Sequence, residues 1–505
     1  MIKKKIQIAT PARKLFSIFL CILAISCCGS WLAGTASHID LESHTISQFE
    51  LNGQLRAVKR RLNSGEPVLQ MMIVPEAGMF VYSFYGYSLV NMALDRPGDE
   101  KFREQARFEL ERVIKTISSL AARPPFNIND KIRPKGGIII AGHSNLLRAG
   151  YLLIGGKNPE ILKDFHERSE EIAASFLSNV APFPECYPGY TWAEDAIFAL
   201  ESLRLHDVMF HSDFSKSRNA WLDWLKTHLD RETGMMVAQV DPHSGKILDV
   251  PRGCAISWAL GFLPSIDPEF AKSQFARFRK DWFVPFAGML GITEWYHGKE
   301  MPTQFPTGPV AFGLGAAATG IGIGACRANG DFYSWHLILR ALNVLGFPQW
   351  TPIGEKTYFY QQCLLADVLA LWGETVRPWD TEKKIESVLP PIKGGGDSLF
   401  YIVLVAGLLA SGAIIGCLVK RTIRLFKDQS MTQVGWQKAT VIAFALQSMA
   451  AGAFFTSPFL SWLQLIIIMA LVDLLEEMTL RPQIVATIFE SESKSHLRDR
   501  ENHND

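Results

Sequence analysis

Apolar residues recur along most of the chain at helical spacing. In 43–62 (SHTISQFELNGQLRAVKRRL) Ile46, Phe49, Leu55 and Val58 are spaced for one helix. In 100–121, Phe102, Ala106, Leu110, Val113 and Ile117 form a stripe. The same period predicts helices over 76–93, 143–154, 159–178, 191–206, 214–229, 255–263, 268–283, 310–328, 331–345 and 358–376. Connections rich in Pro and Gly separate them: ARPPF, KIRPKGG, APFPECYPGY, MPTQFPTGP and LGFPQWTP. One stretch, 233–250 (TGMMVAQVDPHSGKILDV), reads instead as a β-hairpin turning at Asp241-Pro242 and Ser244-Gly245. About twelve helices in hairpins predict a mainly α fold: an (α/α)6 toroid with a small β-hairpin insertion, its helix N-termini converging on one central cleft. An irregular helical solenoid has the same periodicity and stays open beside it.

Two apolar blocks bracket this middle. Residues 15–34 follow a basic start that carries Lys3, Lys4, Lys5, Arg13 and Lys14 without an acid, and 399–418 and 439–475 form the second block. The loop 419–438 is again basic. Basic loops beside spans stay in the cytoplasm. The self-consistent topology therefore has four transmembrane helices, with both ends inside and the middle outside, and the third span, 439–456, carries Gln447. A cleaved signal peptide ending near Gly34-Thr35-Ala36, or a lipoprotein-like site at Cys27, keeps the same sidedness for the middle. The expected organisation is a basic N-terminus and signal-anchor over 1–37, an extracytoplasmic domain over 38–390, a C-terminal membrane module of about three helices over 391–480, and a polar cytoplasmic tail over 481–505.

Composition narrows the partners. A net charge of +1 with 20% charged residues shows no basic face for nucleic acid. Cys186, Cys254, Cys326 and Cys363 are the cysteines of the middle domain, and their spacing matches no zinc pattern, so neither metal nor cofactor is expected. The absence of any Asn-x-Ser/Thr acceptor favours a bacterial inner membrane over a eukaryotic secretory route. The expected partners are the lipid bilayer, a small-molecule or glycan substrate, and a membrane protein or a second copy of the chain.

The candidate chemistry sits where loops enter helices. Glu194 and Asp195 follow Trp192 after a Pro/Gly-rich loop, where a helix N-terminus favours carboxylate charge. One should face the cleft and one should face away. Tyr190 and Trp192 can form an aromatic wall. Helix capping by the acids and core packing of Trp192 are the plain alternatives. His143, in AGHSNLLRAG, reads as a turn leading into a helix and as an acid/base candidate. Cys186 beside Glu185 is held as a thiol, which suits a proton donor and not a thiolate nucleophile. Arg252 can bind an anion or pair with Asp249. Glu294 and Trp295 lie in a polar–aromatic cluster, GITEWYHG, expected in a loop, and Tyr82 in FVYSFYGYS is expected to line the cleft. The Gly-rich run GPVAFGLGAAATGIGIGA has no strand before it and reads as a tightly packed inner helix, not a dinucleotide loop.

Three stretches, CYPGYTWAEDAIFALESLRLHD (186–207), DVPRGCAISWALGFLPSIDPEFA (249–271) and TGPVAFGLGAAATGIGIGACRANGD (307–331), resemble the linalool dehydratase/isomerase domain family. The resemblance spans roughly 70–380 and implies an (α/α)6 fold with a His and two Cys around the substrate alcohol. His143 and Cys186 keep the family's separation, but Asp195 stands where the second Cys is expected. The resemblance implies acid/base lyase or isomerase (hydro-lyase) chemistry on an alcohol-containing or glycan substrate. A glycoside hydrolase of envelope polysaccharide, pairing Asp195 with Glu294, is the alternative. So is a non-catalytic glycan-binding envelope component.

Overall fold

The computed structural model describes residues 45–71, 74–126, 132–296, 309–346, 348–351 and 353–380, with 385, 389–392 and parts of 398–420. Segments 15–34 and 439–475, read as membrane spans, lie outside the described residues, and 399–418 is described only in part. Among the described residues no helix is long and apolar enough to cross a membrane. Residues 34–344 and 348–404 form one compact unit and the rest of the chain a second.

The first unit is mainly helical. In chain order the helices are α1 (Gln48–Asn63), α2 (Glu66–Met71), α3 (Ala77–Leu94), α4 (Glu100–Leu120), α5 (Gly137–Leu153), α6 (Pro159–Ser175), α7 (Ala193–Phe210), α8 (Ser215–Thr227), α9 (Gly253–Leu260), α10 (Leu263–Ile266), α11 (Pro268–Asp281), α12 (Ala316–Ala328), α13 (Phe332–Leu345) and α14 (Leu364–Thr375). Six of them close a ring. α3 packs on α5, α5 on α7, α7 on α9, α9 on α12, α12 on α14, and α14 back on α3. Helices α1, α4, α6, α8 and α11 pack outside it, so the unit is an α-rich toroid.

The ring helices all run the same way. Gly86 lies against Leu147 and, one turn on, Val90 against Gly150. Gly142 lies against Ala199 before Asn145 meets Ser202. Ile323 touches Gly373 before Arg327 reaches the Val376 carbonyl. Glycines make this approach possible: a Cβ on Gly324 would sit 2.3 Å from Trp372, and one on Gly86 2.3 Å from Leu147. The Gly-rich run is thus an inner helix from Ala316 onward.

The parallel arrangement gathers six helix N-termini at one end. There the capping differs from the outside. Four of the outer helices start on side-chain caps: Ser47 accepts from Glu50 N–H, Asp99 from Phe102, Asn158 from Glu160 and Asp267 from Phe270, while α8 starts at Phe214 without one. The inner helices start at Glu76, Gly136, Trp192, Arg252, Gly315 and Cys363, and none of these side chains caps its own helix. Their first amides are left for loops, waters or ligands at this mouth.

Small antiparallel sheets dress the same end. β1 (Thr191–Trp192), β2 (Gln239–Val240) and β3 (Ile247–Asp249) pair in that order, with Trp192 opposite Gln239 and Gln239 opposite Asp249. The expected hairpin is therefore β2 and β3, the central strand and one edge strand of three. β4 (Phe283–Phe286) and β5 (Met289–Ile292) form a second hairpin, and β6 (Val310–Ala311) and β7 (Leu314–Gly315) a third. β8 (Gln349–Trp350) pairs with β9 (Lys356–Thr357).

Three sequence expectations change here. Residues 310–315, expected as helix, form the β6–β7 turn, because Phe312 and Gly313 take positive φ and Glu294 N–H donates to the Gly313 carbonyl. Residues 358–363 are also outside the helix: Tyr358 is extended, its N–H donating to Asp367 Oδ1, and Phe359–Gln361 form a separate 3-10 turn before α14. His143 is not in a turn. α5 begins six residues earlier, after Gly136 at φ 85°, and the apolar Ile138–Ile140 run forms its first turn.

Candidate active site

Two inner helices begin with ionisable side chains that meet. At the start of α7 stand Glu194 and Asp195, both buried. The loop before them folds back, with Cys186 N–H donating to the Tyr190 carbonyl at 2.9 Å. This brings the Cys186 thiol to Asp195, to which it donates. At the start of α9, the Cys254 thiol donates to Glu294 Oε1 at 3.0 Å and its backbone N–H to Oε2 at 3.3 Å. Arg252 sits between the two pairs, with Nε 3.3 Å from Asp249 Oδ2 and its charge acting on Glu194, Cys254 and Glu294. Glu76, just before α3, accepts from Tyr187 Oη at 2.8 Å and acts on Asp195.

Burial dominates the electrostatics. It raises Glu294 to about 7, against the Cys254 hydrogen bond and the Arg252 charge. It likewise pushes Glu194 and Asp195 well above the ordinary carboxylate range; the Asp195 charge adds to it at Glu194 and the Glu76 charge at Asp195, while Arg252 opposes it at both and the Cys186 hydrogen bond opposes it at Asp195. Glu194 Oε2 has no hydrogen-bond partner. Burial and the neighbouring acids raise both thiols, so Cys186 and Cys254 are proton-bearing groups, not thiolates. The mouth therefore holds several acids able to exchange protons near neutral pH.

Directly below lies an aromatic layer. Phe80 and Phe84 follow Glu76 on α3, Phe198 follows Asp195 by three residues on α7, and Trp258 follows Cys254 by four on α9. Phe84 stacks on Trp258 at 4.5 Å. His143 enters this layer from α5: its ring stacks on Phe198 at 3.8 Å, and Nδ1 lies 2.8 Å from Tyr87 Oη. Burial drives its pKa down to about 3, so it is a neutral imidazole, and Nε2 has no hydrogen-bond partner.

Of the residues singled out from sequence, Cys186, Asp195, Arg252 and Glu294 come together, and His143 lies one layer beneath them. Tyr190, 54% exposed, stacks on Trp192 at 6.1 Å beside the Cys186–Asp195 pair. Tyr82 is elsewhere, half-buried and under the charge of Arg112 on α4. Trp295 is buried in a small pocket with Val250, Pro251 and Tyr296. The charge of Arg252 acts on both Glu194 and Asp195. Cys254, Glu76 and Tyr187 were not anticipated. Their signal is position: Glu76 and Cys254 stand within two residues of an inner-helix start, as Asp195 does. Among the described residues no group of three His, Cys, Asp or Glu side chains is arranged to hold a metal.

No known family profile and no curated protein matches the chain. Among solved structures, a glycoside hydrolase of family 105 from C. acetobutylicum aligns at 12% identity and a TM-score of 0.38, covering 58% of this chain and 92% of that one. A family 76 alpha-mannanase from Bacteroides thetaiotaomicron aligns at 9% identity and a TM-score of 0.37, covering 59% and 84%. An alpha-1,6-mannanase of family 76 from Salegentibacter sp. aligns at 12% identity and a TM-score of 0.37, covering 58% and 88%.

Proposed function

We propose that this chain is an acid–base enzyme that breaks a C–O bond of a hydroxyl-rich, sugar-like substrate, in the manner of a glycoside hydrolase. The observation that carries it is the pair of thiol–carboxyl contacts, Cys186–Asp195 and Cys254–Glu294, on either side of Arg252. Acid-catalysed glycoside cleavage needs one carboxyl that is still protonated at working pH and another that is ionised. The crowded Glu194–Asp195 pair suits the first role, because like charges in one buried site share a proton. Glu294 suits the second, because it accepts two donors and lies near Arg252. The stacked Tyr190 and Trp192 beside Asp195 offer a flat face to a sugar ring.

A second reading is a dehydratase or isomerase of the linalool type. The observation favouring it is the aromatic layer around His143, directly below the acids, which suits an apolar alcohol better than a sugar. In either case the proposed setting is the outer face of a bacterial inner membrane, with the catalytic unit extracytoplasmic and anchored by the apolar segments at both ends.

The deciding experiment incubates the purified chain with envelope glycans and, in parallel, with tertiary and allylic terpene alcohols, and follows products by mass spectrometry. New reducing ends that disappear with Asp195→Asn support the hydrolase. Alkene formation supports the dehydratase. Saturable glycan binding without turnover in either assay leaves a binding component and removes the enzyme.

A further inference from the structure

We propose that Cys254 is a positioning residue for Glu294, its thiol and backbone N–H together fixing both carboxylate oxygens so that Glu294 serves as the proton acceptor of the site. The inference rests on the acid–base reading above and assigns a role inside it.

Glu294 is held from several directions. Its own N–H donates to the Gly313 carbonyl at 3.1 Å and its carbonyl accepts from Gly253 N–H at 2.7 Å, so its backbone is pinned between the β6–β7 turn and the start of α9. Its side chain then does for α9 what Arg252 does not: it accepts from the second residue of the helix and caps it from another element. The thiol closes the remaining oxygen at 3.0 Å. Gly315 walls the site, since a Cβ there would come within 3.0 Å of Oε2. The ionisable groups that act on Glu294 are Cys254 and Arg252 from α9 and Asp249 from β3. Burial is the largest influence and opposes the ionised carboxylate, as Asp249 does; the two donors and the guanidinium work against both and favour it. Glu194 is the contrast. One of its oxygens is buried without any hydrogen-bond partner, which favours the neutral form. The thiol itself is not the reacting group, because burial and the adjacent carboxylate keep its proton on. Its chemistry lies in where it holds that proton.

The test uses the full-length chain and needs no substrate. Carboxyl infrared bands are titrated, with Glu294→Gln identifying the Glu294 band by difference. In Cys254→Ala the Glu294 midpoint should rise by about one pH unit, and Cys254→Ser, which restores a donor, should return most of the shift. Circular dichroism confirms that both variants keep the fold. The reciprocal arm labels Cys254 with a maleimide at fixed pH and reads the site by peptide mass. Removing the acceptor and charge in Glu294→Gln should speed labelling about tenfold, as a one-unit fall in thiol pKa requires. An unmoved midpoint in a folded Cys254→Ala, or unchanged labelling in Glu294→Gln, overturns the proposal. A shifted midpoint in a chain that turns over no glycan or alcohol leaves the Cys254–Glu294 coupling standing and removes the enzymatic reading alone.

Discussion

His143 and Phe198 face each other ring to ring at 3.8 Å across the α5–α7 contact, and the imidazole is wholly buried. A residue that sequence reasoning places in a polar turn therefore belongs to the aromatic lining of the ring. Its one hydrogen-bond partner, Tyr87 Oη, is buried as well. The arrangement favours a neutral imidazole that packs within the aromatic layer over one that cycles protons with solvent.

This gives the first prediction, on stability against pH. His143 has its folded pKa depressed to about 3 from 6.5, so between those values the unfolded chain binds the extra proton. Stability linked to this group is complete above about pH 6.5 and declines as pH falls towards 3. His143→Phe removes that decline. Urea unfolding at pH 7.5 and 4.5 should show the wild type losing about 2 to 3 kcal/mol more than the variant between the two pH values. An equal loss in both would place the proton elsewhere.

The second prediction concerns the tie between α1 and the ring. Arg61 is buried and pairs with Asp367 of α14 and with Glu66, and its guanidinium also donates to the Gln361 carbonyl. Asp367 is otherwise a buried acid, raised to about 7 by desolvation. Removing only the arginine strands that acid, at a cost of about 3 to 5 kcal/mol, whereas replacing the pair by apolar groups is often close to neutral. Arg61→Met should lower the urea midpoint sharply, and Arg61→Met with Asp367→Leu should recover most of the loss. A mild single variant would show that the pair contributes little.

Phe312 gives the third. It sits at the β6–β7 turn with φ 53° and its side chain fully exposed. A bulky residue in the left-handed region costs about 1 kcal/mol, which glycine avoids. Phe312→Gly should raise the melting temperature by about 1 to 2 °C, the shift that about 1 kcal/mol gives in a unit of this length. The turn neighbours Glu294 through the Gly313 carbonyl, so the same variant should be assayed for glycan affinity. A fall in melting temperature refutes the strain argument.

What the sequence discloses follows from how local each determinant is. The outer helices are legible almost to the residue because their caps, Asp99, Asn158 and Asp267, are local hydrogen bonds. The inner helices lack such caps, and it is at their starts that boundaries drift: Gly137 against an expected 143, Ala316 against 310, Leu364 against 358. The hairpins β4–β5 and β6–β7 escape notice because strands of two to four residues show too little alternation to read. For the site, Asp195 and Glu294 are visible as acids beside aromatics. Cys254 is not, because only the contact between α9 and the segment after β5, forty residues apart, gives a thiol its carboxylate. Tyr82 lies on a helix that does reach the mouth, but it is two residues, roughly half a turn, from Phe80 and Phe84, which point inward in its place.

The membrane arrangement is tested on its own. The proposed arrangement puts the basic segments 1–14 and 419–438 on one side and 38–390 on the other. Fusions of an export-dependent reporter after residue 390 should be active, and fusions within 425–435 silent. The reverse pattern would invert the proposed topology and put residues 38–390 in the cytoplasm.

The last prediction separates a catalytic Asp195 from a structural one. Its carboxyl is raised by burial, so the folded state holds a proton that the unfolded state releases between the ordinary aspartate range and neutrality. A raised folded pKa means that stability linked to the group is complete below the unfolded pKa of about 3.8 and is lost as pH rises through the folded value. Asn cannot ionise, keeps the volume and still accepts from the Cys186 thiol. Asp195→Asn should therefore be more stable than the wild type at pH 8, by about 1 to 3 kcal/mol, with the gain shrinking towards pH 4. Turnover should be abolished, because the group that exchanges the proton is gone. A gain in stability with a loss of activity is the signature of a site that holds charge against its own fold. Were Asp195 present to anchor the start of α7, the variant would instead lose stability at both pH values and keep whatever activity remained in its folded fraction.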